Sequence, residues 1–139
     1  MEQKEENTME LKGVRILEIN DVFGKIANAD VDIKTAICIA NNLKVLETPV
    51  KILRDKQRDL LDKYGEKDAD GNLVEVDNGI RITNMAEFVP QMEEIMGTDI
   101  EVDLKKIKLS ALENIKISAN DIRVLNGIIE DEEDTKTEE

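Results

Sequence analysis

Four carboxylates set around a glycine form the most ligand-like pattern in this sequence. With Gly71 as the sixth position of a calcium-type loop, Glu66, Asp68, Asp70 and Asp77 fall at positions one, three, five and twelve, and Leu73 takes the usual apolar position. Hard oxygen donors at alternating positions around a glycine turn are what a calcium ion requires. Two residues fit poorly: Asp77 is shorter than the bidentate glutamate such loops use, and Glu66 stands where an aspartate is usual. The segment that follows also reads as a strand, where a calcium loop needs an exiting helix. An Asp-Gly turn leading into a hairpin accounts for the same residues without an ion.

Other chemistry has little to build on. The chain contains no histidine, which removes the commonest general base, zinc ligand and triad partner. Cys38 lies between Ile37 and Ile39 in a helical stretch, the setting of a buried, inert thiol. Asp99, Glu101 and Asp103 alternate along a strand, and such a row is by default a solvated outer face. Glycine-rich phosphate loops are absent. The expectation is a protein without enzymatic activity and without a cofactor. Met85, Met92 and Met96 fall at helical spacing. They read as core packing or, alternatively, as an adaptable surface for a partner.

Composition narrows the partners. The net charge is −13, but residues 1–10 carry −3 of it and residues 130–139 carry −6, leaving −4 on residues 11–129. The acidity therefore sits mainly in the two ends, which read as disordered tails flanking a single domain of residues 11–129. An acidic chain with two Phe, one Tyr and no Trp lacks both the basic surface and the stacking rings that nucleic acids need. A DNA mimic would need its acidic pattern on the fold itself. One cysteine rules out an internal disulfide, no apolar run approaches the ~18 residues that would span a bilayer, and the first residues lack a signal-peptide pattern. The expected partner is a protein, not a nucleic acid or a membrane, with a homo-oligomer also open.

The elements that must position these residues centre on one long helix. Ile39, Leu43, Leu46, Val50, Leu53, Gln57, Leu60 and Tyr64 are spaced by alternating fours and threes, which keeps one seam of a helix apolar. Asp30 or Asp32 can cap this helix near Ile33. Pro49 interrupts it: either Thr48 caps a second helix or the helix continues with a kink. The unbroken register from Leu46 through Val50 to Leu53 favours continuation. Val14, Ile16, Leu17 and Ile19 could form a strand, followed by a short helix capped at Asn20-Asp21. Val74–Val76 and Ile80–Ile82 predict a hairpin around Asp77-Asn78-Gly79, with a three-residue loop pairing Val76 with Ile80 and Glu75 with Arg81. Asn84 and Glu87 form a capping box for a helix closed by Gly97. Ile100, Val102 and Leu104 alternate as a half-buried strand. Ser110 with Glu113 and Ser118 with Asp121 cap two short helices, the last carrying Ile122, Leu125, Ile128 and Ile129. The class is α+β and predominantly helical, a long helix packed with shorter helices and a small antiparallel hairpin or sheet.

Three blocks in this order resemble a family of small phage and prophage proteins of Gram-positive bacteria that is classed as a domain of unknown function. They are Val31–Ala36 leading into Ile39–Lys44, then Lys63–Asn72, then Asp99–Asp103 through Ile107 to Ile117-Ser118. The acidic tail and Pro90 depart from that pattern. The resemblance implies a phage-encoded protein acting in the cytoplasm of the infected bacterium or packed into a virion, and it carries over no catalytic residues. The leading expectation is an interaction module that binds a host or phage protein through the seam Leu43, Leu46, Val50, Leu53, Leu60 and Tyr64, or through the Met-bearing helix. The alternative is a structural or assembly accessory of the virion tail or baseplate.

Overall fold

The computed structural model describes residues 8–77 and 79–130. Strand β1 (Thr8–Lys12) leads into helix α1 (Gly13–Ile26), and helix α2 (Ile33–Tyr64) forms the spine. Strands β2 (Glu75–Val76) and β3 (Gly79–Ile80) make a hairpin, followed by helix α3 (Met85–Met96) and strand β4 (Asp99–Asp103). Strand β5 (Ile107–Lys108), a 3-10 turn (Leu109–Leu112), helix α4 (Ala119–Val124) and strand β6 (Ile129–Glu130) complete the chain. The class is α+β and mainly helical. Among the described residues, no helix is long and apolar enough to cross a membrane.

The four-three spacing builds α2 as a single helix. It starts at the N-cap Asp32, whose carboxylate accepts from the Thr35 backbone amide, and runs through Pro49 without a break. The seam residues Ile39, Leu46, Val50 and Leu53 enter the core with Ile16, Ile19, Val22, Phe23 and Ile26 of α1. Those α1 residues recur every three or four positions, so burial against α2 selects a helix where the start of the segment looked like a strand. Asn20 and Asp21 accordingly lie inside α1 and do not cap a helix. The N-cap position of α1 is Lys12, which makes no side-chain capping bond, so the sequence carries no start signal there.

The sheets are small. Strand β1 pairs antiparallel with β4, placing Met9 opposite Val102 and Leu11 opposite Ile100; residues 8–10, expected to be disordered, are therefore part of the fold. The tails beyond them, 1–7 and 131–139, lie outside the described residues. Strand β4 has the alternation the sequence predicts, with Val102 and Leu104 buried and Asp99, Glu101 and Asp103 exposed. The final helix stops at Val124, and Ile129 instead joins β6, which runs parallel to β5 with Ile107 opposite Ile129. Ser110 falls inside the 3-10 turn, whose N-cap is Lys108. Arg15 closes α4 from outside, donating to the Val124 carbonyl at 2.7 Å and the Asn126 carbonyl at 3.2 Å. A guanidinium at a helix C-terminus satisfies orphan carbonyls and complements the dipole.

Gly13 marks a close approach of α1 to the end of α3. A Cβ there would lie 2.6 Å from the Ile95 backbone oxygen and 3.0 Å from Leu53 Cδ2, so a methyl group forces α1 and the end of α3 apart. Gly13→Ala is expected to cost about 1–3 kcal/mol, read as a lower urea midpoint with an unchanged slope.

The α1–α4 contact carries an ion pair with a pH signature. Lys25 Nζ lies 3.0 Å from Asp121 Oδ1, where Asp121 is buried and Lys25 is largely exposed to screening solvent. The Lys25 hydrogen bond holds the Asp121 carboxyl below its ordinary range, against burial and with help from Ser118. A carboxyl lowered in the folded state stabilises the fold above its unfolded-state pKa of about 3.9, and that contribution is lost as pH falls through the folded value. Melting temperature is expected to fall as pH drops below about 4, and Asp121→Asn should flatten that slope.

Candidate functional site

The acidic loop folds as a turn. Asp68 Oδ1 accepts from the Asp70 and Asn72 amides at 2.9 and 3.0 Å, and Gly71 adopts φ +85°. The Asp68 carboxylate is thus engaged by its own backbone. Glu66 faces Arg81 at 3.6 Å. Among the described residues, no three acidic or thiol side chains gather as a metal site, so Glu66, Asp68, Asp70 and Asp77 are not brought together as ligands. The extended pieces around the loop hold one another: Glu66 donates to the Arg81 carbonyl, Arg81 to Val74 and Val74 to Glu66, each at 2.8–3.0 Å. The hairpin register differs by one from the expected pairing. Glu75 faces Ile80 and Val76 faces Gly79, so Arg81 meets Glu66 and not Glu75. Gly79 keeps a positive φ of +126°, while Asn78 lies outside the described residues. In this register Glu66 contacts both Arg81 and Val74, contacts that the local hairpin pattern does not contain.

The α2 seam, expected as an interaction surface, is core. Leu46 is fully buried, Val50, Leu53, Leu60 and Tyr64 are buried, and Leu43 is half-buried against the same cluster. The C-terminal end of the seam packs on α3. The Tyr64 and Phe88 rings meet edge to face at 6.1 Å, an arrangement aromatic quadrupoles favour. The Tyr64 hydroxyl donates to Glu87 at 3.1 Å and accepts from Gln91 at 2.8 Å. Asn84 caps α3 as predicted, through the Glu87 amide, but the Glu87 carboxylate serves Tyr64 in place of the return half of a capping box. Gln57 Nε2 sits 4.0 Å from both Met92 and Met96 sulfurs, which places those two methionines in the α2–α3 contact. Met85 is left exposed.

One exposed apolar stretch lies one residue off the seam. Pro49, Ile52, Leu53, Lys56, Asp59 and Leu60 of α2, with Gln91, Glu94 and Ile95 of α3 and Thr98 and Ile100 beyond it, line a groove of about 620 Å3. Leu53 and Leu60 are buried in its floor, whereas Ile52 stands 54% exposed on its wall. The polar groups Lys56, Asp59 and Glu94 also line it. Sequence reasoning followed the seam and missed this flank. The available signal was an isoleucine and a proline, Ile52 and Pro49, each immediately before a seam residue.

No protein-family model matches this chain, and neither does any curated protein or solved structure.

A second hollow of about 400 Å3 lies at the start of α2, lined by Asp32, Lys34, Thr35, Cys38 and the 106–111 segment. Cys38 is half-buried, and its sulfur contacts the Lys105 and Lys106 carbonyls at 3.7 Å. Burial pushes its thiol up, only partly opposed by the Lys105 charge, so the protonated, unreactive form dominates at neutral pH. One turn on, Asn42 is wholly buried and clamps Lys105 by both backbone groups, donating to its carbonyl at 3.0 Å and accepting from its amide at 2.8 Å. Cys38 and Asn42 together hold the backbone of Lys105 and Lys106 against α2.

Proposed function

We propose that this chain is a non-enzymatic protein–protein interaction module of phage or prophage origin, acting in the cytoplasm of the infected bacterium and docking a host or phage protein in the α2–α3 groove. The observation that carries the reading is the groove itself, an open apolar trough walled by Ile52, Ile95 and Ile100. Small-molecule sites aim a few polar groups at a ligand they largely enclose. Here the floor is aliphatic, while Lys56, Asp59 and Glu94 supply the charge, the division of a protein-binding surface. The phage attribution rests on the three sequence blocks.

The test is capture from phage-infected bacteria with the tagged wild-type chain and with Ile52→Glu, read by mass spectrometry. A protein retained by the wild type and lost with Ile52→Glu supports the reading. Equal capture by both chains, or none by either, overturns the groove as the docking site. Recovery of the chain with tail or baseplate proteins in purified particles would instead assign it to the virion.

A further inference from the structure

Resting on the reading of the groove as a protein-docking site, we infer that its occupant is one short amphipathic helix carrying basic side chains along its edges. Length argues for a helix. The α2 wall runs from Pro49 to Leu60, roughly 16 Å at about 1.5 Å per residue, or three helical turns. A helix of that length presents apolar side chains at i, i+3, i+4 and i+7 on a single face, the spacing that fills a groove between two helices.

Charge argues for a basic edge. Asp59 on the α2 wall and Glu94 on the α3 wall both border the groove. Among the described residues, neither forms an ion pair, because the pairs present join Asp21, Asp55, Glu66, Asp99 and Asp121 to their cations. Two unpaired carboxylates on opposite walls, against the single ammonium of Lys56, leave the rim negative. Lysine or arginine on both edges of the docked helix answers those carboxylates. Residues 11–129 carry a net charge of −4, the same sign as the rim, which favours encounter with cationic partners. An acidic helix would meet like charge on both walls.

The test uses designed peptides and isoleucine methyl NMR of the full chain. One probe is a short helical peptide with leucines at i, i+3, i+4 and i+7 and lysines on both edges; its counterpart carries glutamates at the edge positions. The lysine-edged probe is expected to shift the Ile52, Ile95 and Ile100 methyls saturably, leave Ile33 and Ile37 unmoved, and weaken with added salt. Asp59→Lys with Glu94→Lys, both at the rim, should lower its affinity about tenfold and favour the glutamate-edged probe. Equal or tighter binding of the glutamate-edged probe overturns the inference, as do shifts centred on Ile33 and Ile37, or no shifts. If capture of a cellular protein still depends on Ile52 while the lysine-edged probe fails, the docking reading stands and only the class of occupant falls.

Discussion

Leu46→Glu is expected to unfold this protein, whereas Ile52→Glu on the same helix leaves it folded. Leu46 is 0% exposed, at the centre of the cluster joining α2 to α1. A carboxylate placed there has no partner, and an unpaired buried charge costs far more than its own packing could return. Even Leu46→Ala should cost about 2–5 kcal/mol, the transfer term plus an unfilled cavity. A domain of this size has only about 5–15 kcal/mol in hand. Ile52 is more than half exposed, and surface changes of that kind usually stay within about 0.5 kcal/mol. Circular dichroism and urea titration of the three variants check this directly. A folded Leu46→Glu chain would return the seam to the surface and with it the original expectation of a contact along Leu46 and Leu53.

The contrast between those two leucine and isoleucine positions also separates what was legible in the sequence from what was not. The long helix, its cap at one of Asp30 and Asp32, the Asn84 and Ser118 caps and the alternation of β4 are local patterns, written within a few residues of where they act. The start of α1 reads as a strand because Val14, Ile16, Leu17 and Ile19 are β-branched or bulky and nothing at Lys12 announces a helix. Ile16, Ile19, Phe23 and Ile26 do carry helical three-four-three spacing, and that face is the one buried against the α2 seam. The observed hairpin register likewise involves a residue outside the hairpin, Glu66, which contacts Val74 and Arg81. Periodicity told that α2 had an apolar seam but not who covered it. The candidate site was therefore placed on the face this chain covers itself, while the open groove beside it depends on where α3 and β4 come to lie.

Asn42→Ala is expected to be the most damaging polar substitution, at about 2–5 kcal/mol. The side-chain amide meets the Lys105 amide and carbonyl as a neighbouring strand would, across 63 residues of sequence. Both partners are backbone groups of a connection that carries the buried Leu104 on one side and Ile107 on the other. Without Asn42 the Lys105 amide loses its side-chain acceptor and the carbonyl keeps only the Cys38 sulfur at 3.7 Å, and an unmade hydrogen bond in a part-buried site costs more than a made one contributes. The loss should appear as a lower melting temperature and as faster hydrogen exchange at the Lys105 amide. Asn42→Asp distinguishes the clamp from simple packing. Its carboxyl is close in size but, when ionised, turns an acceptor toward the Lys105 carbonyl, and the full burial of this position raises its folded pKa. A raised folded pKa gives a contribution that is present below about pH 3.9 and lost as pH rises through the folded value. The Asn42→Asp chain should therefore come closest to wild type in acid, where its protonated oxygen can donate to Lys105, and fall furthest behind at neutral pH. A penalty independent of pH would mean that shape alone, and not the paired hydrogen bonds, fixes this connection to α2.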